Sequence, residues 1–251
     1  MQGFIELIKK EIHRFMSIWM QTVLGPLTTA LLYQLIFGHQ LSTLSTGTVG
    51  VTYSEFLIPG LVIMQVLLNA FGNSSSTIIQ SKYTGNLVFV LMAPITPFAI
   101  YSAYLISSII RGVVVGVVVF LGIMWFGASL PNSYLVMLYF LIFGAAITAG
   151  LGLITGILCN KFDQLAGFQS FIMVPLIYLS GVFFNPHNLS ALWQSVTMLN
   201  PFMYIVAGFR YGFIANPNFN LWLGILIVFV FALVINSVGY ILLRQGVRIK
   251  N

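Results

Sequence analysis

Residues 81–97, SKYTGNLVFVLMAPITP, separate two much longer apolar segments of this 251-residue chain. The stretch begins with polar residues, continues with seven apolar residues from Leu87 to Ala93, and ends with Pro94 and Pro97. Seven residues are only about a third of the roughly 20 that a helix needs to cross a bilayer. The stretch therefore predicts a short helix that lies outside the hydrocarbon layer and connects two spans.

The composition places most of this chain in a membrane. Hydrophobic residues make up 59% of the sequence and charged residues 6%, whereas a soluble domain carries about 25% charged residues. So few ionisable groups do not cover the surface of a soluble fold, but a bilayer solvates apolar side chains directly. We therefore predict an all-α membrane protein that forms a single domain over residues 1–251.

Six apolar segments are long enough to cross a bilayer as helices. They occupy residues 17–38, 55–74, 98–127, 134–159, 165–184 and 221–243. An even number of transmembrane helices places both termini on the same side of the membrane. The first segment follows a charged helical pattern and is long enough to remain in the membrane, so we expect an uncleaved signal anchor.

The distribution of lysine and arginine predicts which side holds the termini. Eight of the ten basic residues fall on the side of the termini: Lys9, Lys10, Arg14, Lys82, Lys161, Arg244, Arg248 and Lys250. The opposite side carries Arg210, and Arg111 lies inside the third span. Because cytoplasmic segments are enriched in basic residues, we expect both termini in the cytoplasm.

The amino-terminal residues predict an amphipathic helix that lies at the membrane interface. One helical face is apolar, with Phe4, Ile5, Ile8, Ile12, Phe15, Met16 and Trp19, and the other carries Glu6, Lys9, Lys10, His13 and Arg14. Glu11 breaks this division because it projects toward the apolar side. The pattern leaves two outcomes open for Glu11: its carboxylate reaches back to the surface, or it meets a partner inside the protein.

Residues 185–220 are apolar, but Pro186, Pro201 and Pro217 interrupt them. Proline in a helix interior removes a backbone hydrogen bond, so these residues do not predict one spanning helix. Short apolar helices at membrane depth are tolerated where they pack against protein or line a cavity. We therefore expect broken re-entrant helices that cover the outer end of the spans.

Arg111 lies near the middle of the third predicted span. A charge at that depth costs about 2.5 to 3.5 kcal/mol on insertion scales, which makes a functional role the default hypothesis. Arg111 would contact a transported molecule or pair with another subunit. Two structural explanations also stay open, satisfaction by neighbouring polar groups and snorkelling to the surface.

The sequence lacks the common catalytic and metal-binding motifs. It contains no Walker A, HExxH or GxSxG sequence, and its four acidic residues are dispersed. Cys159 is the single cysteine, which excludes an intrachain disulfide and the paired-cysteine metal motifs. The basic residues form no patch interleaved with aromatic residues, which argues against nucleic acid binding. We expect neither a catalytic residue nor a metal or cofactor in this chain.

The order of these parts resembles the permease subunit of the ABC-2 type export family. Three stretches carry the likeness: NLVFVLMAP at residues 86–94, VPLIYLSGVFF at 174–184 and LNPFMYIVAGFRYGF at 199–213. The likeness extends over essentially the whole chain. It is nearest to bacterial inner-membrane members of about this length, which implies a multi-pass protein of that membrane.

The resemblance implies partners for the chain. In the family, two copies of the permease pair with two cytoplasmic ABC ATPase subunits, which bind ATP and magnesium. The complex exports amphiphiles such as drugs, lipids or glycans, and membrane lipid surrounds it. A self-contained secondary transporter or channel is the main alternative, but it would show intramembrane acids or a repeated filter sequence, and neither is visible.

The resemblance also implies two sets of site residues. The stretch at 81–97 matches the coupling helix, which seats in a groove of the ATPase, and its contact residues here are Lys82, Tyr83, Asn86, Leu87 and Val90. Family members often carry acidic residues after the position of Asn86, where this chain is apolar. The outer re-entrant region is represented by Asn200, Pro201, Tyr204, Arg210 and Tyr211.

Overall fold

The computed structural model describes residues 2–40, 51–214 and 219–246, and these contain helices but no strand. The α-helices are α1 Gln2–Ser17, α2 Gly25–Gln40, α3 Tyr53–Tyr83, α4 Asn86–Met92, α5 Pro97–Ile123, α6 Tyr134–Leu158, α7 Phe162–Phe168, α8 Val174–Tyr178, α9 Ala191–Leu199, α10 Pro201–Tyr211 and α11 Leu221–Gln245. Short π-helical turns, Met20–Leu24 and Gln169–Met173, lead into α2 and α8. Two residues of the charge count, Arg248 and Lys250, lie outside the described residues.

Five of the described helices are long and apolar enough to cross a membrane. They are Met20–Gly38, Tyr53–Tyr83, Pro97–Phe126, Tyr134–Leu158 and Leu221–Gln245. They correspond to five of the six predicted spans, which confirms an all-helical protein with several membrane-crossing helices. The count of six stays a prediction, because the span predicted at 165–184 corresponds to a shorter helical run, residues 162–178.

The run 162–178 nevertheless extends between opposite ends of the bundle. Near its beginning, the Phe162 ring lies 6.3 Å from that of Tyr83, the last residue of α3. At its other end, the Tyr178 and Tyr33 hydroxyls lie 2.7 Å apart, and Tyr33 belongs to the second half of α2. We call the end that holds α1 and α4 the α4 end, and the end that holds α9 and α10 the α10 end.

The fifth predicted span ends earlier than the sequence suggested, at Tyr178 instead of Phe184. The chain leaves the helix in a turn where Gly181 has a φ of 82°, a left-handed conformation that glycine adopts at low cost. The carbonyl groups of Gly181 and Val182 then accept hydrogen bonds from Arg210. A tertiary contact, which the local sequence does not reveal, therefore sets this boundary.

The second predicted span is longer than expected, because α3 continues from residue 74 to Tyr83. The polar run at residues 73–77 looked like the end of a span. In the structure the serine hydroxyls of this run donate to carbonyls three or four residues earlier in the same helix, so most of the run is satisfied inside α3. Lys82 and Tyr83 consequently belong to the last turn of α3 and not to the short helix that follows.

Helix α3 is the central element of the fold and is buried along most of its length. It packs against α2, α5, α6 and α10, and its apolar residues form the largest hydrophobic cluster. Its first turn has a capping box, in which the Thr52 side chain accepts from the Glu55 amide and the Glu55 carboxylate accepts from the Thr52 amide. This arrangement satisfies backbone donors that a helix start leaves free.

Candidate functional site

Helix α4 is attached to the bundle through one of its faces. Leu87 is 2% exposed, and Val90 packs against the cluster that contains Leu7 and Tyr101. A turn at Gly85, with a φ of 73°, reverses the chain before α4. Leu87 and Val90 therefore anchor α4, although the resemblance had placed both in the contact with the ATPase.

The opposite face of α4 and the adjoining end of α3 have no partner among the described residues that covers them. Tyr83 is 84% exposed, Phe89 74% and Met92 78%. Asn86, the first residue of α4, is also exposed. A shallow groove runs between α4 and α1, and Phe89 lines it together with residues that include Lys10.

Lys82 points back into the bundle. Its ammonium group donates hydrogen bonds to the carbonyl of Ile157 and, at 3.1 Å, to that of Cys159. These carbonyls lie at the carboxyl end of α6, where unpaired acceptors and the helix dipole favour a cation. Lys82 therefore fastens the end of α3 to the end of α6.

Arg210 is buried at the α10 end and donates three hydrogen bonds to backbone carbonyls. Its Nε donates to the carbonyl of Phe56 at 3.1 Å, and one Nη donates to the carbonyls of Gly181 and Val182 at 3.0 and 3.1 Å. The guanidinium carbon lies 3.7 Å from the centre of the Phe56 ring, a cation–π contact. A Cβ atom on Gly60 would come within 2.8 Å of this guanidinium, so the site depends on a glycine there.

The other predicted residues of the outer region lie on α10 or at its start. Asn200 caps α10, because its Oδ1 accepts from the Phe202 amide at 3.0 Å, and Pro201 occupies the first position of that helix. Tyr204, Tyr211 and Arg210 lie together on the wall of a cavity of about 210 Å³. The structure thus brings three of the five residues to one cavity, whereas Asn200 and Pro201 begin the helix that carries them.

A second polar cluster lies at the α4 end, where α1 packs on α5 and its side chains reach α3. The Arg14 Nε donates to Glu11 at 2.9 Å, and one Nη donates to Thr77 and, at 2.9 Å, to the Oδ1 of Asn73. Thr77 in turn donates to Glu11 at 3.0 Å. Glu11 is fully buried, so of the two outcomes left open by the sequence, it meets partners inside the protein.

Arg111 reaches the same Asn73 from α5. Its Nη1 donates to Asn73 Oδ1 at 3.3 Å, which is the hydrogen bond that the described residues provide for this guanidinium. The Nε of Arg111 is buried without a hydrogen-bond partner among them. The amide group of Asn73 also donates to Ser108 at 3.0 Å. Two arginines therefore share one neutral oxygen. We call Arg14, Asn73, Ser76, Thr77 and Arg111, with Glu11, the two-arginine cluster.

The sequence did not reveal the residues that surround Arg111 and Arg210. Asn73 and Gly60 have no local motif, and their importance arises from residues that α1, α5 and α10 bring to α3. The unusual polarity of residues 73–77 inside an apolar segment was the one available signal for Asn73. Within the described ranges, no group of three or more histidine, cysteine, aspartate or glutamate residues is arranged to hold a metal ion.

Comparison with known proteins finds a matching family model and several similar proteins, some of which cover most of the chain. A family model described as "ABC-2 type transporter" matches residues 2–214. The inner membrane transport permease YadH of Escherichia coli K12 is 34% identical over 241 residues, 95% of this chain and 94% of that protein. Nodulation protein J of Neorhizobium galegae is 24% identical over 220 residues, 83% of this chain and 81% of that protein. The capsule polysaccharide export inner-membrane protein BexB of Haemophilus influenzae is 33% identical over 95 residues, 37% of this chain and 34% of that protein.

Proposed function

Because the chain belongs to the ABC-2 type transporter family, we propose that it is the membrane subunit of an exporter whose ATPase is a separate cytoplasmic protein. The family is one of transport permeases, and the five long apolar helices fit a multi-pass protein of the inner membrane. In this proposal the ATPase binds ATP and magnesium, and the present chain forms the path along which an amphiphile leaves the cytoplasm.

The exposed face of α4 is the observation that carries the proposed coupling. A helix of seven residues is too short to span a membrane, yet it exposes Phe89 and Met92, and Tyr83 beside them is also exposed. Exposed apolar side chains of this size at a surface outside the hydrocarbon favour a protein partner. A groove on the ATPase is the partner that the family provides.

We propose different tasks for the five residues of the coupling set. Tyr83 and Asn86 are exposed and face the proposed partner, together with Phe89 and Met92. Leu87 and Val90 hold α4 on the bundle, and Lys82 ties α3 to α6. Motion of the ATPase therefore reaches the spans through an apolar contact on one face of α4 and through packing on the other.

The proposed exporter contains two copies of the chain and two ATPase subunits. Its path runs along α3, between the two copies of the chain. Asn69, Gly72, Ser76 and Gln80 follow one another at helical spacing, and none of them is fully buried. This stripe gives an amphiphile a polar surface beside apolar walls. The exposed apolar side chains of α2 supply the contact with the second copy, where Leu32, Leu35 and Ile36 are each about half exposed.

The exported molecule is proposed only as an amphiphile, which includes drugs, lipids and glycans. The name of the Haemophilus relative refers to capsule polysaccharide. That resemblance extends over 37% of the chain. A glycan is therefore one candidate for the exported molecule, beside drugs and lipids.

The proposed orientation places the termini and the α4 end in the cytoplasm, because most basic residues lie there. Thr84 and Asn188 are exposed at the α4 and α10 ends, respectively. In a chain without Cys159, a cysteine at Asn188 should react with an impermeant thiol reagent added outside intact cells, whereas one at Thr84 should not. The reverse labelling pattern would overturn the orientation and, with it, the coupling role of α4.

A substitution on the exposed face of α4 tests the coupling. Burial of one large apolar side chain contributes about 1.5 to 3 kcal/mol. Phe89→Asp should therefore weaken binding of the ATPase by roughly ten- to a hundredfold, while the chain still folds and inserts. The measurement is the affinity of the purified membrane subunit for its ATPase, which is identified by co-purification with the wild-type chain.

Two variants control this experiment. Gln245→Asp adds the same charge at the same end of the bundle but outside α4, and it should keep wild-type affinity, because Gln245 is exposed there. Leu87→Asp should lower the stability of the chain itself, since it buries a carboxylate. Wild-type affinity in the Phe89→Asp variant would contradict the proposed contact.

A further inference from the structure

The two-arginine cluster holds more positive charge than the surrounding described residues neutralise. Lys10, Arg14 and Arg111 approach it, and Glu11 is the carboxylate among these neighbours. Glu11 is already bonded to Arg14 at 2.9 Å and lies 3.4 Å from Lys10. The Lys10 side chain is half exposed to solvent, so the two guanidinium groups against one carboxylate leave an excess of one positive charge beside a membrane-spanning helix.

Arg111 has unused donors in this cluster. A guanidinium group carries five N–H donors, and the described residues accept one hydrogen bond from it, at 3.3 Å. Its acceptor, Asn73 Oδ1, is neutral and already receives a shorter bond of 2.9 Å from Arg14. Because a buried donor without a partner is costly, the arrangement is incomplete without a further acceptor near Arg111.

One Nη of Arg14 is also weakly engaged, and a polar route leads to the cluster from the α4 end. The Nη1 of Arg14 makes two contacts, with Ser76 and Gln80, and both are 3.5 Å long, at the limit of a hydrogen bond. Gln80 is exposed and Ser76 is partly exposed. From Gln80 to Asn73 the helix rises by about 10 Å, so these side chains connect the surface with Arg111.

We infer that the two-arginine cluster is a binding site for a phosphate-type oxyanion, which enters past Gln80 and Ser76 and is held between the guanidinium groups of Arg14 and Arg111. Planar guanidinium groups match the oxygen pairs of phosphate and form charge-assisted hydrogen bonds with them. The oxyanion supplies the acceptors that Arg111 lacks and offsets the excess charge. The group is either the headgroup of a lipid or a free phosphate ion. This inference rests on the chain alone and not on the proposed ATPase or the exported molecule.

Lipid binding to the purified full-length chain, without an ATPase, tests the inference. The probe is dioleoyl phosphatidate, which carries a bare phosphate group. Dioleoylglycerol has the same acyl chains without the phosphate and serves as the control ligand. Native mass spectrometry gives the affinity for each. Phosphatidate should bind at least about tenfold more tightly than dioleoylglycerol, because each charge-assisted hydrogen bond contributes that much or more.

Two variants locate the binding. Arg111→Gln removes one guanidinium, and Asn73→Asp places a carboxylate between both of them, which neutralises the site while it keeps the shape of the side chain. Each should weaken phosphatidate binding by about tenfold or more. Lys9→Gln is the matched control, since Lys9 lies on α1 but is exposed and paired with Glu6, and it should bind as the wild type does.

Inorganic phosphate, added as a competitor, identifies the source of the group. Displacement of phosphatidate at millimolar concentration would support a site for the free ion, and failure to displace it would support a lipid headgroup. Equal binding of phosphatidate and dioleoylglycerol to the wild-type chain would overturn the inference even if both variants failed to fold. Wild-type affinity in Arg111→Gln and Asn73→Asp would overturn it as well.

Discussion

Arg210 and Arg111 both lie within the helical bundle, but their guanidinium groups differ in how many hydrogen bonds they make to the protein. Arg210 donates to three backbone carbonyls and lies against the ring of Phe56. Arg111 has one hydrogen bond of 3.3 Å among the described residues, to an oxygen that it shares with Arg14. A buried charge that the backbone satisfies acts as a structural link, whereas a charge with spare donors is available for a ligand.

The position of each arginine fits this difference. Arg210 joins α10, the first turns of α3 and the turn after α8, which also pack together through the large hydrophobic cluster. Arg111 lies on α5 opposite the polar stripe of α3, near the proposed path. We therefore expect substitution of Arg210 to lower the stability of the protein and substitution of Arg111 to weaken ligand binding.

The largest effect is expected for Arg210→Gln. Because at least two of the three carbonyls lose charge-assisted hydrogen bonds that contribute about 1.5 to 3 kcal/mol each, the free energy of unfolding should fall by about 3 kcal/mol or more. At about 2 to 4 °C per kcal/mol, the melting temperature in detergent should fall by about 6 to 12 °C. A melting temperature equal to that of the wild type would mean that Arg210 is not a structural link.

A smaller effect is expected when the neighbour of Arg210 is enlarged. In Gly60→Ala, the new methyl group would come within 2.8 Å of the guanidinium and of the Val182 carbonyl, and overpacking of this kind costs about 1 to 3 kcal/mol. Gly72 is the matched control on the same helix, because a Cβ there meets nothing within 4 Å. Gly72→Ala should raise the free energy of unfolding by about 0.5 to 1 kcal/mol, as expected for a helical glycine. Similar thermal unfolding of the two variants would contradict the close packing around Arg210.

Sequence reasoning found the helical class and most of the spans, because apolar segments of 20 residues or more leave few other structures. It also found α4, since seven apolar residues followed by prolines specify a short helix. It did not find which face of α4 is exposed. Leu87 and Phe89 are both large and apolar, and only the packing of α4 on the bundle makes the first 2% exposed and the second 74%.

The sequence identified Arg111 and Arg210 as unusual but did not distinguish their roles. The difference depends on acceptors far away in the chain, such as Phe56, which is 154 residues from Arg210, and on Arg14, which is 59 residues from Asn73. The boundaries of two spans were missed for the same kind of reason. In α3 the serine hydroxyls bond to carbonyls of their own helix, so the polar run does not end it, and the turn after the other helix is held by hydrogen bonds to Arg210.

The thermal stability of Arg111→Gln, measured beside Arg210→Gln in the same detergent, tests the central distinction most directly. Arg111→Gln removes one weak hydrogen bond and a charge that the described residues do not neutralise. Because a buried donor without a partner costs about 1 to 3 kcal/mol, we expect the free energy of unfolding of this variant to equal or exceed that of the wild type. Its melting temperature should then not fall. A fall as large as that of Arg210→Gln would contradict the account, because it would make Arg111 a structural link of the same kind.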